Sequence, residues 1–129
     1  MPINSEPPSG VPAFSQGHPI SARVLVAEDP FVGSFLRAVL QKRGHKVVTG
    51  DAVRVSELLR QGKVDADVVI TNQPEAFLEF AGRLPLLYIA ANPDPELASR
   101  FSQCRALPKP FRNEELLRAV EQLASPVVP

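Results

Sequence analysis

The chain has 129 residues, enough for one hydrophobic core and too few for two ordinary domains. Fourteen basic residues balance fourteen acidic ones, which removes the electrostatic reason to expect nucleic acid or an anionic membrane as partner. The single cysteine, Cys104, excludes an internal disulfide and a cysteine-based metal cluster, and no stretch reaches the ~18 apolar residues of a membrane span.

Residues 1–22 hold five of the fourteen prolines, several serines and glycines, and one charged side chain, Glu6. That composition offers too little apolar surface to offset ordering entropy, so a tail is expected there. The start, MPINSEPPSG, lacks the basic and apolar regions of a secretory signal, and a cytoplasmic location is expected. From residue 23 strands and helices alternate. RVLVA (23–27) is a β-branched apolar run. PFVGSFLRAVLQKRG (30–44) is a helix with Pro30 in its first turn, Gly44 as its stop and the apolar Phe31, Phe35, Ala38 and Val39 at helical spacing. KVVT (46–49) is a second strand, and DAVRVSELLRQG (51–62) a helix opened by Asp51 and closed by Gly62, with Val55, Leu58 and Leu59 on one face.

ADVVIT (66–71) is the third strand and PEAFLEFAGR (74–83) a helical segment of about two turns. LLYIAA (86–91) is the fourth strand, DPELASRF (94–101) a short helix, RAL (105–107) the stub of a fifth strand, and NEELLRAVEQL (113–123) a closing amphipathic helix. The folded unit is expected over 23–124, with 125–129 a short tail. Five βα units with apolar strands predict an α/β three-layer sandwich, a five-stranded parallel sheet covered on both faces. Pro108 cannot donate to a ladder, which places the fifth strand on the sheet edge.

In such sheets, sites form at the carboxyl ends of the strands. Three groups converge there: Glu28 and Asp29 after the first strand, Asn72 after the third, and Lys109-Pro110-Phe111 after the fifth. Taken singly, the acidic pair reads as a helix N-cap and KPF as a turn. His45 reads as a surface turn histidine without an acidic partner near it in sequence. Cys104 reads as an ordinary, partly buried thiol, and Thr71 faces away from Asn72 by strand alternation.

Together, RVLVAEDP, RAVLQKRGHKV, DADVVITN, LPLLYIAA and LPKPFRNEELLRAV resemble the receiver domain of two-component response regulators over residues 23–124. The resemblance implies a flavodoxin-like sheet in the order 2-1-3-4-5. It also implies transfer of a phosphoryl group from a histidine kinase to an aspartate, with Mg²⁺ held by that aspartate and the acidic pair. Carried over, the phosphoacceptor position falls on Asn72, the hydroxyl position on Ala90 and the switch aromatic on Ala106; Glu28, Asp29, Lys109 and Pro110 are retained. The stretch from 72 to 90 is short for the family, so a trimmed third helix is implied, and residues 73–84 are expected to be the most mobile part of the domain.

An amide carries no nucleophilic oxygen of the kind a carboxylate supplies, so Asn72 forms no acyl phosphate. Mg²⁺ prefers anionic oxygens, so Glu28 and Asp29 alone make a weak or absent metal site, and Lys109 is then free to neutralise them directly. No catalytic residue or tightly held cofactor is assigned. The expected role is a degenerate pseudo-receiver that binds another signalling protein, such as a histidine kinase, a regulator or a second copy of itself. The expected surface lies within 94–123 and includes Arg100, Arg105, Arg112, Glu115 and Arg118. The alternatives are a divergent receiver phosphorylated on Asp29 with Mg²⁺, and a small-anion site built on Lys109.

Overall fold

The computed structural model describes residues 21–125. In chain order these form β1 (Arg23–Ala27), α1 (Pro30–Lys42), β2 (Lys46–Gly50), α2 (Ala52–Arg60), β3 (Val68–Thr71), a 3₁₀ segment (Pro74–Phe80), β4 (Leu86–Ala90), α3 (Pro95–Ala98), β5 (Cys104–Pro108) and α4 (Asn113–Ala124). All strands are parallel, in the order β2-β1-β3-β4-β5, as the resemblance implies. β5 takes the edge beside β4, where Pro108 costs no ladder bond.

Strand alternation divides the core in two. Val24, Val26, Val68, Ile70, Leu87 and Ile89 face α1 and α4, and meet Leu36, Leu40, Leu116 and Val120. Leu25, Val69, Leu86 and Tyr88 face the opposite layer, which α2, the 3₁₀ segment and Phe101 cover. Both faces are thus apolar, and the polar chemistry is confined to the strand ends.

The helix ends follow the local sequence. Asp29 caps α1, its Oδ1 accepting from the N–H groups of Phe31 (3.0 Å) and Val32 (3.1 Å). Asp51 caps α2 through the N–H of Arg54 at 2.8 Å. Gly44 and Gly62 follow α1 and α2 with φ of 101° and 70°, the left-handed region that costs other residues strain.

The buried face of α1 is Gly33, Leu36 and Leu40; Phe31 is 86% exposed and Phe35 48%. Two apolar stripes with the same helical spacing compete there, and the crossover from β1 turns the second one to the sheet. Three expectations need correction. The segment after Asn72 is a 3₁₀ helix, and it is pinned rather than loose: Phe77, Phe80 and Pro74 are buried, and Arg60 bonds Glu79 across to α2. That burial opposes the expected mobility of 73–84.

His45 is buried, not on the surface. Its Nδ1 accepts from the Ala22 N–H at 3.0 Å, and its Nε2 lies 3.1 Å from Glu121 Oε2 on α4, while Arg43 holds the other oxygen at 3.2 Å. Because Nδ1 is an acceptor, the proton sits on Nε2, where it is donated to Glu121. Finally, the folded unit begins before residue 23: Ala22 is in the core and Ser21 Oγ donates to Gly44 O. It extends to Ser125, which caps α4. The rest of the two tails, 1–20 and 126–129, lies outside the described residues.

Three stability outcomes follow. Phe77→Ala should lower the unfolding free energy by about 3–5 kcal/mol, whereas Phe31→Ser should change it by less than about 0.5 kcal/mol, both read by urea denaturation. His45→Ala strands the Ala22 N–H and removes a donor from Glu121, and should cost about 1–3 kcal/mol in the same assay.

Candidate functional site

The carboxyl ends of β1, β2 and β3 open into a cleft of about 430 Å³. Its wall includes Glu28, Asp29, Thr49, Asp51, Asn72 and Gln73. The loops after β1 and β3 bring Asn72 to the acidic pair because those strands are neighbours, Val26 standing beside Ile70 and Ala27 beside Thr71. Thr71 is fully buried, its Oγ1 accepting from the Gln73 N–H at 3.0 Å, and Asn72 is exposed on the cleft.

Glu28 is the unusual group. It is only 7% exposed, and neither carboxylate oxygen has a hydrogen-bond partner. Burial pushes its carboxyl above the ordinary range. The field of Lys109 pulls it back, the Asp29 N–H does so weakly without completing a hydrogen bond, and the Asp29 charge adds to the rise. Lys109 therefore acts at a distance. The direct neutralisation of Glu28 expected from sequence is not made; Lys109 and Pro110 stand outside the cleft wall, with the Lys109 N–H donating to Ala90 O at 2.8 Å across a cis Lys109–Pro110 turn.

Asp29 behaves as the N-cap reading foresaw. One of its oxygens takes two backbone N–H bonds, and so is committed to holding α1. Among the described residues no three acidic, imidazole or thiol side chains gather closely enough to hold a metal ion. Asn72 brings an amide, not a carboxylate, to the cleft of the acidic pair.

Ala90, half-buried at the end of β4, supplies no hydroxyl, and Ala106 stands exposed on β5 opposite Tyr88. The Tyr88 ring is buried and tied through its hydroxyl oxygen to the Asp94 N–H at 3.2 Å. On the expected surface, Arg100, Arg105, Arg112 and Arg118 are all exposed, Arg105 donating to Gln122, while the half-buried Glu115 accepts from the Arg112 N–H at the start of α4. Asp51 is the site residue that sequence reasoning missed. It was read only as a helix opener, although the strand order 2-1-3 puts the end of β2 beside the acidic pair.

No protein-family model matches the chain, and no curated protein matches it. Solved structures do. A response regulator receiver protein from Sinorhizobium medicae is 24% identical, with a TM-score of 0.68 over 81% of this chain and 94% of that one. The chemotaxis response regulator CheY4 of Vibrio cholerae is 22% identical, with a TM-score of 0.66 over 81% and 99%. The receiver domain of the sensor histidine kinase PA1611 from Pseudomonas aeruginosa, which has a magnesium ion coordinated in its active-site cleft, is 23% identical, with a TM-score of 0.63 over 81% and 98%. At these identities the likeness establishes the architecture: the chain has the fold of response regulator receiver domains.

Proposed function

We propose that this domain is a pseudo-receiver of bacterial two-component signalling, a non-enzymatic module that binds another signalling protein without being switched by aspartyl phosphorylation. The observation that carries the reading is Asn72, at the end of β3 in the cleft that also holds Glu28 and Asp29. Phosphoryl transfer needs a nucleophile, a metal to neutralise charge, and groups that follow the phosphate. Here the nucleophile is an amide, the metal set lacks its third carboxylate, and Ala90 and Ala106 replace the groups that would sense and report.

The alternatives are less well supported. Asp29 already commits one carboxylate oxygen to capping α1, and phosphorylation there would place a dianion beside the buried, unpartnered Glu28 carboxylate. An anion site built on Lys109 has no lysine in the cleft wall. A partner would meet the exposed Arg100, Arg112 and Arg118 on the β5–α4 side, or the apolar Phe31 and Phe35 on α1, a helix whose charged residues are all basic. Histidine kinase, regulator and a second copy of the chain remain the partner classes that fit the fold.

With acetyl phosphate and Mg²⁺ the protein should show no phosphoryl mass addition, and a labelled Asp29-containing peptide would overturn the reading. Asn72→Asp, which restores the third carboxylate, should tighten Mg²⁺ binding by about tenfold, or ~1.4 kcal/mol, by calorimetry. Glu28→Gln removes a buried carboxylate whose proton affinity is raised by folding. Such a group is favourable below its unfolded pKa, and that contribution is lost as pH rises through the higher folded value. The variant should therefore gain stability over wild type at pH 7, by about 1 kcal/mol, and the gain should shrink as pH falls to 4 and below in pH-resolved urea melts.

A further inference from the structure

The same cleft has a second property that the pseudo-receiver reading does not use. Its wall carries Glu28, Asp29 and Asp51 together with Asn72 and Thr49, and among the described residues no basic side chain lines it. Two helices begin at its rim, and free helix N-termini would favour an anion. Asp29 Oδ1 already takes the N–H groups of Phe31 and Val32, and Asp51 Oδ1 takes that of Arg54. Among the described residues the charged side chains that line the cleft are all acidic.

Glu28 gives the independent sign that something is missing. It is a carboxylate more than nine-tenths buried, with both oxygens unpartnered, in the wall of the cleft. An unsatisfied buried carboxylate is costly, and a donor from outside the chain would relieve it. A metal ion is a poor candidate, because no three acidic side chains converge among the described residues. A volume of about 430 Å³ suits a larger, flatter cation whose several N–H donors reach acceptors set further apart.

We propose that the Glu28–Asp51–Asn72 cleft is a binding site for an organic cation, a guanidinium or a primary ammonium group, in place of the metal and phosphoryl group of a receiver. The cation's N–H donors face the Asp51 carboxylate on the β2 side and the Asn72 carbonyl on the β3 side, and the buried Glu28 carboxylate beneath supplies the charge that attracts it. Asn72 then has a role that aspartate would also fill, but without a nucleophile to modify. The chemistry is shared by an arginine or lysine side chain of a bound protein and by a free small amine.

The proposal deepens the pseudo-receiver reading and can fail separately from it. The ¹⁵N-labelled full chain is titrated with agmatine, with a capped Gly-Gly-Arg-Gly-Gly peptide, with Mg²⁺ and with inorganic phosphate. The guanidinium probes should move the amide signals of Gly50, Asn72 and Gln73 saturably, with half-saturation at about 1–10 mM, the range of a few unassisted polar contacts. Glu28→Gln and Asp51→Asn, tested singly, should each weaken that response about tenfold, ~1.4 kcal/mol. Tighter binding of the peptide than of agmatine assigns the site to a protein side chain, and the reverse assigns it to a free amine; both support a cation site. Absence of saturation up to about 50 mM, unchanged binding in both variants, or the same signals answering to Mg²⁺ or phosphate instead would overturn it. A phosphoryl label on the protein would sink the pseudo-receiver reading and leave this titration to stand on its own.

Discussion

Five parallel strands covered on both faces leave the chain one place for polar chemistry. Val24, Val26, Val68, Ile70, Leu87 and Ile89 are buried under α1 and α4, and Leu25, Val69 and Leu86 under the other layer. A charged side chain on either face would have to give up its water for apolar neighbours. The loops at the carboxyl ends escape that constraint, and the strand order decides which loops meet. With β1 central between β2 and β3, the end of β1 is flanked by Asp51 on one side and by Asn72 on the other.

That arrangement explains why one amide matters so much. In a cleft with a metal held by three carboxylates, a buried Glu28 would have its charge matched. Here Asp29 is committed to capping α1, and Lys109 reaches Glu28 only through its field. The result is an orphaned carboxylate whose proton affinity is raised by burial. On the proposal made above, a cation from outside rather than a phosphoryl group would restore the charge balance of the cleft. The opposite end of the sheet is held differently, by polar contacts that are satisfied: Arg23 bonds Asp67, and His45 joins the chain entry at Ala22 to Glu121. The Asp67 carboxyl is accordingly held below its ordinary range, chiefly by the side-chain hydrogen bond from Arg23.

Much of the architecture was legible from local signals. The apolar runs gave the five strands, Asp29 and Asp51 the helix starts, Gly44 and Gly62 the stops, and Pro108 the edge. What local signals left open lay where a pattern had two solutions or where the partner was remote. On α1, Phe31 and Phe35 and the set Gly33, Leu36 and Leu40 have compatible spacings, and only the crossover to the sheet decides between them. His45 lacks an acidic neighbour in sequence because its partner, Glu121, arrives from the last helix. In the cleft, Glu28, Asp29 and Asn72 could be placed from strand ends alone, whereas Asp51 required the non-sequential order of β2, β1 and β3.

The central claim is that position 72 leaves the domain blind to a phosphoryl group. It is tested most directly by following the amide NMR signals of the ¹⁵N-labelled protein as Mg²⁺ and then beryllofluoride, a phosphoryl mimic, are added. The account predicts no beryllofluoride-dependent shift in β4, β5 or α4. Saturable shifts that begin at Glu28 and Asn72 and spread to Ala106 and α4 would contradict it, because they would show a phosphoryl-responsive switch operating without an aspartate.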